Sequence, residues 1–165
     1  MNSTTAATTA TAATPAPTPG LHPLFDRLVA ETGATVLHDA SSFDDWAAQS
    51  GAAMVVFAED PERFKEALDL AVIVPELHAA SRGAFRVALL PPAASRLLAP
   101  RFGFARWPAF VMLRDGHYLG AVDGIRDWEV YVAELARLLA ATPSRPPSVG
   151  IPVRAADADS SASCH

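Results

Sequence analysis

Apolar side chains recur at helical spacing at Leu21, Leu24, Phe25, Leu28 and Val29, and Gly33 follows where a left-handed residue would close the turn. The spacing predicts a first amphipathic helix over 21–32. A short strand is expected at 34–38. Ser42 followed by Asp45 predicts the cap of a brief helix that turns Phe43, Trp46 and Ala47 inward and ends near Gly51. The next run, AAMVVFA at 52–58, is apolar at every position, which suits a central strand buried on both faces.

Asp60-Pro61-Glu62 predicts the start of a long helix, because the aspartate can cap, proline suits the first turn and acids complement the positive end of the macrodipole. That helix is expected to reach about Ser81, with Pro75 kinking it from inside. A strand follows at 84–90, and Pro91 and Pro92 lead into a short helix carrying Leu97 and Leu98. Pro108 opens a strand over 109–113, and Asp115-Gly116 marks a hairpin before a partner strand at 117–122. Asp127 is placed to cap a last helix with Trp128, Tyr131, Val132, Leu135, Leu138 and Leu139 inward. The order α-β-α-β-α-β-α-β-β-α predicts an α/β protein, a mixed sheet with helices on both faces.

Composition sets the limits of this domain. Of 165 residues half are apolar, enough for one core of ordinary size. Residues 1–20 are nearly all Ala, Thr and Pro, and residues 142–165 are rich in Pro, Ser and Ala. Both are expected to be disordered, leaving the globular part at 21–141. No basic segment precedes an apolar core at the N-terminus, and no apolar run approaches the length of a membrane span, so a cytoplasmic protein without direct membrane insertion is expected. A formal charge of −5 argues against nucleic acid as a partner.

Chemistry is sparse. The single cysteine, Cys164, allows no disulfide framework, and Cys164-His165 alone would hold a metal ion poorly. The five histidines lack ligand spacing, and neither G-x-S-x-G nor a phosphate loop occurs. No enzyme, metal or cofactor is expected.

From 54 to 139 the order of elements, a central strand, a helix with an internal proline, a strand, a short helix, an X-Pro turn, a hairpin and a closing helix, resembles thioredoxin. The expected fold is therefore a thioredoxin-like three-layer sandwich with a mixed central sheet and no CxxC. More narrowly, AVIVPEL, FGFARWPAFVMLRDGHYLGAV and GIRDWEVYVAE resemble the hydrogenase-expression proteins of the HyaE, HupG and HoxO type. RWPA followed by LRDG and then by G-x-R-D-W is more specific than any general thioredoxin signature. The resemblance implies an accessory chaperone in maturation of a membrane-bound nickel-iron uptake hydrogenase. Its implied partners are the small subunit precursor, with its twin-arginine signal peptide, and other hydrogenase accessory proteins. Two alternatives stay open: a non-catalytic interaction domain that docks within a maturation complex without recognising a signal peptide, and a thiol enzyme acting through Cys164.

Counting back from Pro75 by thioredoxin spacing places Ala67 and Leu70 where the redox cysteines would stand, after a segment, 59–66, longer than the thioredoxin loop. The resemblance also implies a cis peptide bond at Pro108, with Trp107 near the start of the helix carrying Ala67 and Leu70. Trp107 reads either as an aromatic contact beside a peptide groove, with Phe104 next to it, or as a core residue filling the space of the missing disulfide loop. Arg106 would repel an arginine-rich segment and also reads as a plain surface residue. Glu59, Asp60, Glu62, Glu66, Asp69 and Glu76 outnumber Arg63 and Lys65 between them. On a helix Glu62, Glu66 and Asp69 would share one face. That face reads either as solvated or as a receptor for paired arginines. The candidate partner-binding residues are Trp107, Pro108, Arg106, Phe104, Glu62, Glu66 and Asp69.

Overall fold

Every side chain from Ala53 to Ala58 is at most 1% exposed, so the strand that carries them must be covered on both faces. The computed structural model describes residues 20–147, and that strand, β2 (Ala52–Phe57), lies at the centre of its five-stranded sheet. The arm before Gly20, and the tail beyond Pro147 with Cys164 and His165, lie outside the described residues. The chain runs α1 (Pro23–Thr32), β1 (Thr35–Val36), α2 (Ala40–Ala47), β2, α3 (Ala67–Ala80) and β3 (Arg86–Leu90). It continues through α4 (Pro92–Leu98), a 3-10 turn (Ala99–Arg101), β4 (Ala109–Arg114), β5 (His117–Asp123) and α5 (Trp128–Ala140). Strand order is β1-β3-β2-β4-β5, with β2 parallel to β3 and antiparallel to β4. This is the expected mixed sheet of a thioredoxin-like sandwich.

The two-residue period of β2 sorts the core. Met54 and Val56 face α1, α3 and α5, where they meet Phe25, Leu70, Val74, Tyr131 and Leu138. Val55 and Phe57 face α2 and α4, with Phe43, Trp46, Leu98 and Phe102. Local signals close several elements as read from the sequence. Gly33 sits in the left-handed region and its N–H donates to Val29 C=O, ending α1 (2.9 Å). Asp115 and Gly116 both take positive φ, 51° and 79°, which sets the twist of the hairpin.

Three expectations are corrected. Helix α2 is capped not by Ser42 but by Asp39, whose Oδ1 accepts the Ser42 N–H (2.8 Å), while Ser42 Oγ accepts the Asp39 N–H in return (3.4 Å). Helix α3 starts at Ala67, not at Asp60. Asp60 instead closes an isolated turn, its Oδ1 accepting from Glu62 N–H and its carbonyl from Arg63 and Phe64 N–H at 2.9–3.0 Å. PERFKE offers a single apolar side chain, so nothing holds a helix there against the sheet. At the other end, Trp128 (42% exposed) and Val132 (40%) face outward, because the buried stripe of α5 narrows to Tyr131, Leu135 and Leu138. In the short helix Leu97 is exposed and Leu98 enters the core. No described helix is long and apolar enough to cross a membrane.

The α2 cap generates a pH prediction. The backbone hydrogen bond from Ser42 holds the exposed Asp39 carboxyl below its usual range. A group whose folded pKa lies below its unfolded one contributes stability above the unfolded value and loses it as pH falls through the folded value. Asp39→Asn, which can cap without ionising, should flatten the acid limb of the melting-temperature curve. Melts of both proteins from neutral pH down to about pH 2 check this; identical acid limbs would count against it.

Candidate protein-binding site

The carboxyl end of β2 is where the sheet places its chemistry. Ala58 N–H still pairs with Leu90 C=O (3.1 Å), and the next residue, Glu59, is only 2% exposed. A buried carboxylate must be paired or hydrogen-bonded. Glu59 meets both needs: Arg96 of α4 forms an ion pair with its Oε1, which also accepts the Asp60 N–H (3.0 Å). The pair ties the start of the 59–66 segment to α4.

Beside it lies the X-Pro loop between the 3-10 turn and β4. The Trp107–Pro108 bond is cis, as expected. Phe104 sets its ring edge-on to Phe57 (5.0 Å between centroids) and to Trp107 (5.3 Å), a favourable aromatic geometry. Asp123, the last residue of β5, holds the loop from outside, its Oδ2 accepting from Ala105 N–H (3.1 Å) and Arg106 N–H (3.2 Å). Gly124 N–H donates to Pro108 C=O (2.8 Å), and the Tyr131 hydroxyl donates to Gly124 C=O (3.2 Å). Burial raises the Tyr131 pKa and keeps that donor protonated.

The candidate residues divide between two layers. Phe104 and half-buried Trp107 pack with the α2 and α4 layer, while Ala67 and Leu70 are buried in the opposite layer. Pro108 is buried and Arg106 exposed. Glu62, Glu66 and Asp69 are all exposed, but Glu62 belongs to the Asp60 turn, so the three do not form one helix face. Glu66 and Asp69 lie at the N-terminus of α3, where negative charge complements the dipole. Sequence reasoning missed Glu59 as a buried group and Asp123 as the anchor of the loop. The one available hint to Glu59 was its position directly after the longest apolar run. Among the described residues no group of three or more His, Cys, Asp and Glu is placed to hold a metal ion.

What these elements define is a thioredoxin-like domain with a cis X-Pro bond before β4 and, having a single cysteine, no CxxC. The fold agrees with a mutant thioredoxin of Halobacterium salinarum, at a TM-score of 0.51 and 20% identity over 66% of this chain and 95% of that one. Residues 24–131 match the family described as Hydrogenase-1 expression protein HyaE. The hydrogenase expression/formation protein HoxO of Cupriavidus necator is 43% identical over 150 residues, 90% of this chain and 91% of the relative. The hydrogenase expression/formation protein HupG of Rhodobacter capsulatus is 34% identical over 73% of this chain and 87% of its own. The chain belongs to the HyaE family of hydrogenase-expression proteins.

Asp123→Ala should cost about 0.5–1.5 kcal/mol, because it removes the acceptor of two exposed loop N–H groups that water can then solvate. Asp123→Asn, which keeps an acceptor oxygen, should cost less. Denaturant unfolding of the two variants checks the ranking, and equal stabilities would remove Asp123 as the anchor.

Proposed function

We propose that this protein is a non-catalytic chaperone of hydrogenase maturation that holds the small subunit precursor through its twin-arginine signal peptide. The observation that carries this reading is a cis X-Pro loop with no thiol beside it among the described residues. Ala67 and Leu70 are aliphatic and buried, so among the described residues no thiolate is positioned to attack a bound chain. The loop still presents Trp107 and Phe104 as an apolar surface for the signal peptide's apolar stretch. Glu62, Glu66 and Asp69 are free to receive its arginines as charge-assisted pairs, and exposed Arg106 disfavours binding with the arginines on the loop side. Such a chaperone acts in the cytoplasm, before the precursor is exported, alongside other accessory proteins.

A second reading, docking within a maturation complex without signal-peptide recognition, is favoured by the outward apolar side chains of α5, Trp128, Val130 and Val132.

Replacing Glu62, Glu66 and Asp69 by lysine should weaken signal-peptide binding severalfold without unfolding the domain, since exposed charges contribute little to stability. Binding to the wild type should also weaken with salt, exposed attraction being screened over about 8 Å at physiological ionic strength. Titrating the peptide, and a version with its arginines changed to glutamine, into both proteins checks this. Four equal affinities would leave the second reading standing. In an insulin-reduction assay the wild type and Cys164→Ser should both show no catalysed turnover, whereas turnover surviving Cys164→Ser would refute the non-catalytic reading.

A further inference from the structure

The last described segment, 142–147, runs back over the domain. Arg114 turns it, donating to the carbonyls of Leu139 and Ala141 at the end of α5. Ser144 N–H then donates to Tyr118 C=O (2.7 Å), forming an antiparallel bridge on β5, the outer strand of the sheet. Pro147 closes on Gly103, where a Cβ would fall 2.5 Å from the Pro147 carbonyl oxygen. Gly103 has φ +64°, so both its conformation and its lack of a side chain are used. Between this strap and α2 lies a cleft of about 760 Å³ with Phe43, Phe102, Leu113 and Tyr118 in its walls. Phe102 stacks on Tyr118 (6.1 Å) and meets Phe43 edge-on (5.8 Å).

We infer that the outer edge of β5, with the aromatic cleft beside it, is a docking site for an extended, proline-containing segment of a partner chain, and that residues 142–147 are its built-in competitor. The edge of a sheet is a template for an added strand. The strap shows which chemistry this edge accepts: a backbone N–H for the Tyr118 carbonyl, and prolines, already extended before binding, laid near aromatic rings. One bridge is a weak hold, and beyond Tyr118 β5 makes no further bridge on its outer side among the described residues. A separate groove of about 330 Å³ lies farther along β5 at Ala121 and Val122, with Arg126 and Val130 opposite. A longer guest therefore gains contacts that the strap does not make. The strap's advantage is that it acts in cis, at high effective concentration. This inference does not rest on signal-peptide recognition, since it concerns a different edge of the domain.

The test uses the isotope-labelled full chain and, as probe, a synthetic peptide of residues 142–147. Ser144→Pro deletes the bridging N–H, and Gly103→Val independently crowds out Pro147. In the wild type the Ser144 amide should exchange slowly with solvent. The peptide should shift the Tyr118 and Phe102 amide resonances of both variants, binding about fivefold or more tightly than to the wild type, the factor expected for loss of one hydrogen bond. A peptide with its prolines changed to alanine should bind less well to the same variants. Well-dispersed spectra verify that each variant is folded, and either one alone suffices. A Ser144 amide that exchanges at an unprotected rate, no shift at millimolar peptide, or equal affinity for wild type and folded variants would each overturn the inference.

Discussion

The placing of β2 between a parallel and an antiparallel neighbour is the constraint on which the rest depends. Its side chains are buried on both sides, and a strand without a polar face can exist only inside a three-layer arrangement. That requirement calls α1, α3 and α5 to one face and α2 and α4 to the other. The register of the same strand sets the site: Phe57 stands opposite Ala109 on one side and Leu90 on the other. Pro108, one residue before Ala109, is thereby held beside the end of β2, and the aromatic contact of Phe104 with Phe57 follows from that placement.

Glu59 marks where the apolar strand ends and solvent begins. A carboxylate there without a partner would oppose folding, and Arg96, itself half exposed, supplies the charge without being fully desolvated. The segment after Glu59 is then free to form turns rather than helix, and α3 begins only where Ala67 and Leu70 can reach the core. A redox relative would need a reactive thiol at this point. Here Ala67 and Leu70 at the start of α3 are aliphatic and buried, and acids lie nearby.

The X-Pro loop is held by groups that are distant in sequence. Asp123 and Gly124 close one strand and Tyr131 lies in the last helix, yet together they engage the backbone of Ala105, Arg106 and Pro108. Trp107 and Phe104 are held by this frame, and exposed Arg106 is anchored through its backbone N–H, its side chain lying beside Gly124.

The sequence by itself determined the elements whose signal is local and strong. The unbroken apolar run of β2, the left-handed Gly33, the Asp115-Gly116 turn and the buried stripe of α5 each follow from a few neighbouring residues, and their order was enough to specify the sandwich. Only the tertiary structure decided the start of α3, because Asp-Pro-Glu serves an isolated turn as well as a helix and the choice depends on what the following side chains can bury against. It also decided that Trp128 and Val132 face outward, that Glu62 does not share a helix face with Glu66 and Asp69, and that Trp107 joins the α2 and α4 layer. The anchoring of the loop by Asp123, the burial of Glu59 and the return of 142–147 onto β5 were not legible for the same reason. Each depends on a contact between residues far apart in the chain, and no spacing along the sequence encodes which distant partner a polar group will meet.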